Sequence, residues 1–212
     1  MQGLRRLFLK LTSSVVEVLA LSSCLSPRTN REGMSNTMRE TVSPNESISG
    51  LFKEAFRNHP AGVAIVTAES ESGPVGLTAS SVASVSADPA ILAFSLTTES
   101  GSAVALCAAE TVVVHLLSAD NVQLASIFAT RGTDRFTDSI NWSRLASGEP
   151  LLLDAPYALQ CRILQREPAG ASIILIASVL SIRPNGDRGE PLVYHNRDFH
   201  RLTKHSLVGL PG

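Results

Sequence analysis

The chain has 212 residues, 44% of them hydrophobic but only 5% aromatic, and its 18 Lys and Arg against 19 Asp and Glu give a formal net charge of −1. That length supports one domain with a mostly aliphatic core plus a tail, and the near-neutral charge excludes an extended nucleic-acid-binding surface. No run approaches the roughly 18 apolar residues of a membrane-spanning helix, and neither the cysteines (Cys24, Cys107, Cys161) nor the histidines (His59, His115, His195, His200, His205) show metal-ligand spacing.

Residues 1–45 differ from the rest. Arg5-Arg6-Leu7-Phe8-Leu9-Lys10 resembles a twin-arginine export motif, and Leu21-Ser22-Ser23-Cys24 resembles a lipoprotein cleavage box. Glu17 interrupts the apolar segment, and Met34 and Met38 stand just ahead of the folded region, so a start codon assigned too far upstream accounts for such a leader without any targeting role. The expectation is a cytoplasmic protein, with export by a twin-arginine-like leader as the alternative. Residues 30–45 are polar and turn-rich, the composition of a disordered segment. The division expected is a leader or disordered segment over 1–45, a folded domain over 46–205 and a loose C-terminus over 206–212.

Ser47 or Ser49 can cap a short helix in which Leu51, Phe52, Ala55 and Phe56 share one face, and Pro60 ends it. Val63-Ala64-Ile65-Val66-Thr67 reads as a strand, with a turn at Glu71-Ser72-Gly73-Pro74. In the following Gly76-Leu77-Thr78-Ala79-Ser80-Ser81, hydroxyl residues stand where a plain strand would carry bulky apolar ones. Thr78, Ser80 and Ser81 offer side-chain donors, and small Ala79 lets backbone N–H groups approach an oxyanion, as a phosphate-bearing cofactor requires. The plainer alternative is a hydroxyl-rich strand and turn. A strand then runs through Leu96, followed by an alanine-rich helix over 103–109. Ser100 or Ser102 caps that helix, either directing its positive end at a phosphate or serving as a simple cap.

Thr111 to Leu117 is a β-branched strand whose His115 reads as structural. Ser118 caps a helix carrying Val122, Ala125 and Phe128 as a core stripe. Within Arg131-Gly132-Thr133-Asp134-Arg135-Phe136, Arg135 either binds phosphate oxygens in a bidentate manner or pairs with Asp134 at the surface. Tyr157, Leu159, Cys161 and Ile163 alternate inward along a further strand, 170–179 forms the next, and Pro191-Leu192-Val193-Tyr194-His195 with Phe199-His200-Arg201-Leu202 closes the domain. Strand follows strand with few helices, which predicts an all-β fold with minor α content and an antiparallel barrel. No Gly-x-Gly-x-x-Gly fingerprint of a doubly wound nucleotide site exists.

The segment from Gly76 to Ser81 and the run Ser84-Val85-Ser86-Ala87-Asp88-Pro89 resemble the signature of the flavin reductase family. Pro60-Ala61-Gly62-Val63, Gly132-Thr133-Asp134-Arg135-Phe136 and Gly148-Glu149-Pro150-Leu151-Leu152 are similar to further segments of that family, and the resemblance spans about Phe52 to Leu202. It implies a split antiparallel β-barrel, FMN or FAD as cofactor, NAD(P)H as electron donor, a homodimer, and delivery of reduced flavin to a two-component monooxygenase. The alternative it leaves is a flavin-binding or carrier protein of the same fold without catalysis. The cofactor-binding residues it implies are Thr78, Ala79, Ser80, Ser81, Thr97, Ser100, Ser102, Arg135 and Phe136. His195 is the catalytic candidate at the cofactor edge, or else a hydrogen-bonded histidine at a strand end.

The chain also departs from the family pattern. Leu77 stands for the usual Met and Val82 for an aromatic, and Thr98 and Glu99 break the family's serine-rich segment. Ala171-Ser172 replaces an Asp-His pair whose histidine the family places beside flavin and nicotinamide, and Ala177-Ser178 replaces Gly-Glu.

Overall fold

The computed structural model describes residues 47–97, 101–185 and 188–209. The export-like motifs, Cys24 and Ser100 lie outside the described residues. Ser47 adopts extended backbone and accepts from the Gly50 N–H at 3.2 Å, starting helix α1 (Ile48–Arg57). The helix ends before Pro60 and presents the expected apolar stripe, yet Phe52 and Phe56 are each 59% exposed. Their rings pack on one another at 4.5 Å.

Twelve strands follow among the described residues: β1 (Ala61–Gly62), β2 (Ala64–Ser70), β3 (Gly73–Ala79), β4 (Ala83–Ala87), β5 (Ala90–Thr97), β6 (Thr111–Leu116), β7 (Trp142–Arg144), β8 (Pro150–Leu152), β9 (Tyr157–Ala169), β10 (Ser172–Pro184), β11 (Leu192–His195) and β12 (Asp198–Arg201). Helix α2 (Gly101–Ala108) sits between β5 and β6, and α3 (Val122–Ala129) between β6 and β7. The main sheet is antiparallel with order β3-β2-β6-β9-β10-β5-β4; β1-β11-β12 and β7-β8 form smaller sheets. The chain is therefore mostly β. Among the described residues no ladder joins the β3 and β4 edges, so the sheet is not closed, and the expectation of an antiparallel, mostly β fold with minor α content holds.

β2 explains how the core divides. It runs between β3 and β6, and a strand's side chains alternate between faces. Ala64, Val66 and Ala68 therefore join one apolar cluster, covered by Leu106 and Cys107 of α2. Val63 and Ile65 join a second, covered by Ala125 and Phe128 of α3. Thr67, fully buried on the second face, donates its hydroxyl to the Pro150 carbonyl at 2.6 Å, which removes the penalty of burying it. Cys161 is fully buried, as a core cysteine should be, and burial pushes its thiol up to about 12. Arg166 on β9 donates to the Cys107 and Ala109 carbonyls, both at 2.6 Å, and so caps the C-terminal end of α2.

The β1-β11-β12 sheet is hung on the main one through the Val63 N–H to the Leu192 carbonyl (3.3 Å) and the Leu117 N–H to the Val63 carbonyl (3.1 Å). That attachment carries the end of β11 to the corner where β3 leaves its ladder.

Candidate functional site

The hydroxyl-rich segment occupies the end of β3 and the corner after it. Gly76 is buried, and a Cβ there would lie 2.8 Å from Phe128 Cε1 and 3.1 Å from Thr67 Cγ2, so α3 can seat its phenylalanine only against glycine. Ala79 pairs with Ala64 at the last rung, after which residues 80–82 leave the ladder. Thr78, Ala79, Ser80, Ser81, Thr97 and Arg135 then line one cleft of about 360 Å³, and Arg131 joins them.

The structure separates the expected donors. Thr78 donates its hydroxyl hydrogen to the Ala125 carbonyl at 2.7 Å. Ser81 donates to the Ser95 carbonyl at 2.9 Å and accepts from the Ser95 N–H at 3.0 Å, tying the corner to β5. Each hydroxyl carries one hydrogen, so both enter the cleft as acceptors and not as the donors expected. Ser80 is exposed and makes no side-chain hydrogen bond among the described residues, and residues 80–82 make no backbone hydrogen bond outside the strands. Its hydroxyl and the corner's amides are the donors still available.

Arg135 reaches the cleft from the loop after α3. Nη1 donates to the Gly76 carbonyl at 3.0 Å and to Ser102 Oγ at 2.8 Å, and Nη2 donates to the Thr130 carbonyl at 2.7 Å. Nε is buried without a partner. Burial lowers the guanidinium pKa from its ordinary value, as expected for a cation with few water contacts and no anion beside it. Asp134 accepts from the Phe136 N–H at 3.1 Å and makes no ion pair with Arg135 among the described residues.

Two expected residues stand elsewhere. Phe136 packs edge-on against Phe128 (5.4 Å) and Trp142 (5.1 Å) in the second core cluster, so its ring supports the arginine loop from behind. Ser102 serves as the acceptor for Arg135. Thr97 ends β5 and pairs with Ser172, which puts the residue replacing the family's histidine one strand over from the cleft.

His195 lines a neighbouring, larger cleft of about 780 Å³ that shares Ser80, Ser81 and Ser95 with the first. Its ring lies 5.5 Å from that of His200. A smaller space of about 320 Å³, bordered by Thr78, Ser80, Ser126, Tyr194 and Arg197, adjoins both. Ser80 borders all three. His115, read as structural, is fully buried between the Ile65 carbonyl and the Leu152 N–H, away from these clefts.

Sequence reasoning passed over Arg131 and Ser95. Arg131 stood inside the quoted arginine motif, so proximity in sequence was an available signal; Ser95 had none, because only the β3–β5 approach makes it Ser81's partner.

Residues 56–203 match the family described as flavin reductase like domain. The chain is similar to the NADH:FMN oxidoreductase of Rhodococcus qingshengii, 38% identical over 158 residues that span 73% of this chain and 82% of that protein. Its fold is similar to that of a flavin reductase domain protein from Arthrobacter sp. FB24, with a TM-score of 0.69 and 35% identity over 74% of this chain and 96% of the other. It is also similar to BorF, the flavin reductase component of a bacterial two-component tryptophan halogenase, with a TM-score of 0.65 and 28% identity over 73% of this chain and 98% of that one.

Proposed function

The chain belongs to the flavin reductase family, and we propose that it transfers a hydride from NADH to FMN, with the cleft around Ser80 and Arg135 holding the phosphorylated tail of the flavin. The observation that carries the phosphate assignment is Arg135 Nε, a buried donor without a partner on the wall of a cleft otherwise furnished with hydroxyls. A phosphate oxygen supplies both the missing acceptor and the missing negative charge.

The bound flavin supplies the redox chemistry, taking a hydride from NADH together with a proton from solvent. The chain's own residues bind and orient. The guanidinium of Arg135 is held by Gly76, Ser102 and Thr130, so little side-chain freedom is lost when an anion arrives. Ser80 and the amides of its corner add donors, Arg131 adds a second positive charge, and Thr78 and Ser81 offer acceptors suited to hydroxyls of a sugar-like chain. His195 stands at the neighbouring edge, where an imidazole can hold or pass a proton.

Four finer features go with this reading. The open sheet is the body of a split barrel whose seam is the Ser81–Ser95 pair. A homodimer covers apolar side chains that β9 and β10 leave outside, such as Leu164 (50% exposed) and Ile182 (55% exposed). Reduced flavin passes to a partner oxygenase, as the kinship with a halogenase's reductase component supports. The cytoplasm, where NADH is replenished, is the compartment this activity needs, and no helix among the described residues is long and apolar enough to cross a membrane.

Arg135→Ala tests the assignment. Removing a charge-assisted contact is expected to weaken FMN about tenfold or more while riboflavin, which lacks the phosphate, changes less than about threefold. Equal losses for the two flavins would show that Arg135 does not meet the phosphate. NADH oxidation on addition of FMN checks the activity itself.

A further inference from the structure

The larger cleft beside the hydroxyl cleft carries a charge pattern that flavin binding leaves unused. Lys53 and Arg57 reach it from α1 and Arg197 from the turn between β11 and β12, and among the described residues no carboxylate lines it. The chain as a whole is balanced at −1, so this gathering of cations is local and not a reflection of composition. The two carriers are fastened together, since the Asn196 N–H donates to the Arg57 carbonyl at 2.9 Å. The cleft joins the hydroxyl cleft through Ser80, Ser81 and Ser95.

Arg197 sits in an unusual backbone state. His195 pairs with Asp198 across a two-residue turn in which Asn196 has φ 51° and Arg197 has φ 72°. Such turns favour Asn followed by Gly, because a Cβ is disfavoured in the left-handed region. Asn196 suits its place; Arg197 stands where glycine would be unstrained, and its side chain borders both this larger cleft and the smaller one beside Thr78.

We infer that Lys53, Arg57 and Arg197 form a diphosphate subsite that holds the pyrophosphate of a dinucleotide extending away from the flavin cleft. This rests on the flavin-binding reading for its neighbour but not for its own chemistry. A pyrophosphate carries two negative charges spread over several oxygens, which a wide cleft with cations on two separate elements can meet from both sides. Two dinucleotides present that group, the nicotinamide donor and FAD, and the measurements tell them apart.

The test uses the full chain with ADP-ribose as probe, which carries the diphosphate but neither nicotinamide nor flavin. Arg197→Gly suits the turn and removes the charge, Arg197→Lys retains it, and Arg57→Gln with Arg197→Gly removes two. Calorimetry is expected to show ADP-ribose binding weakened about tenfold in Arg197→Gly, about a hundredfold in the double variant, and less than about threefold in Arg197→Lys. Arg201→Gln, which alters a cation paired with Asp120 and Glu190 outside the cleft, serves as control and leaves ADP-ribose binding at the wild-type value. In steady state with FMN as acceptor, a matching rise in the KM for NADH assigns the subsite to the donor. A loss of FAD affinity with FMN affinity retained assigns it to the flavin. ADP-ribose affinity equal to wild type in the folded double variant, or no measurable binding by the wild type, overturns the inference. A wild type that binds ADP-ribose but not FMN would instead refute the flavin assignment and leave this subsite standing.

Discussion

His115 makes the stability of this fold depend on pH in a way that can be worked out from its surroundings. Its Nε2 accepts from the Leu152 N–H at 3.0 Å, so the ring's hydrogen is on Nδ1, which donates to the Ile65 carbonyl at 3.2 Å. Protonation would put a second hydrogen on Nε2 facing the amide donor, inside a fully buried site. Burial lowers the pKa from 6.5 to about 4, with the Ile65 hydrogen bond opposing it only in part. The unfolded chain takes up this proton near pH 6.5 while the folded chain resists until about pH 4, so stability is lost as pH falls through that window. The total loss is about 3 kcal/mol, of which about 2 kcal/mol has gone by about pH 5. Urea midpoints of wild type and His115→Asn at about pH 7.5 and about pH 5 isolate the effect, since Asn does not titrate. At the higher pH the variant is less stable by about 1–3 kcal/mol because one buried hydrogen-bonding group loses its partner. The gap between the two proteins is expected to shrink by about 2 kcal/mol at the lower pH. A gap that stays constant would refute the assignment of His115 as a buried neutral bridge.

Gly76→Ala forces a Cβ against Phe128 and Thr67 and displaces the carbonyl that anchors Arg135, so the urea midpoint should fall by the equivalent of about 1–3 kcal/mol and FMN affinity should fall with it. A variant with wild-type stability would show that α3 moves freely off β3. Arg166→Met keeps an apolar stem but strips the cap from the Cys107 and Ala109 carbonyls, and should destabilise by about 1–2 kcal/mol with flavin affinity intact. In a Cys24→Ser background, Cys107 and Cys161 should release no thiol to a disulfide reagent until urea unfolds the chain, because both are buried and burial raises both thiols, Cys161 to about 12. Prompt release from the native protein would contradict that burial.

Local pattern alone determined where most elements lie. Ser47 before Ile48 starts α1, the β-branched run from Thr111 builds β6, and Gly73 with φ 110° closes the turn from β2 into β3. These follow from capping, alternation and backbone freedom within a few residues, which the sequence displays directly. The same locality made the Gly76–Ser81 corner and the Arg135 loop visible as candidates.

Tertiary structure decided what those candidates can do. Thr78 is reduced to an acceptor by a carbonyl 47 residues away, and Arg135 is anchored by a carbonyl 59 residues away and a hydroxyl 33 residues away. The outward apolar face of α1, the open edges of β3 and β4, and the retreat of Phe136 into an aromatic stack likewise depend on what packs nearby. The cation-lined cleft draws Lys53, Arg57 and Arg197 from opposite ends of the domain. A hydrogen bond or a shared field acts over a few ångströms of space, and only the folded chain sets which distant residues fall within that range.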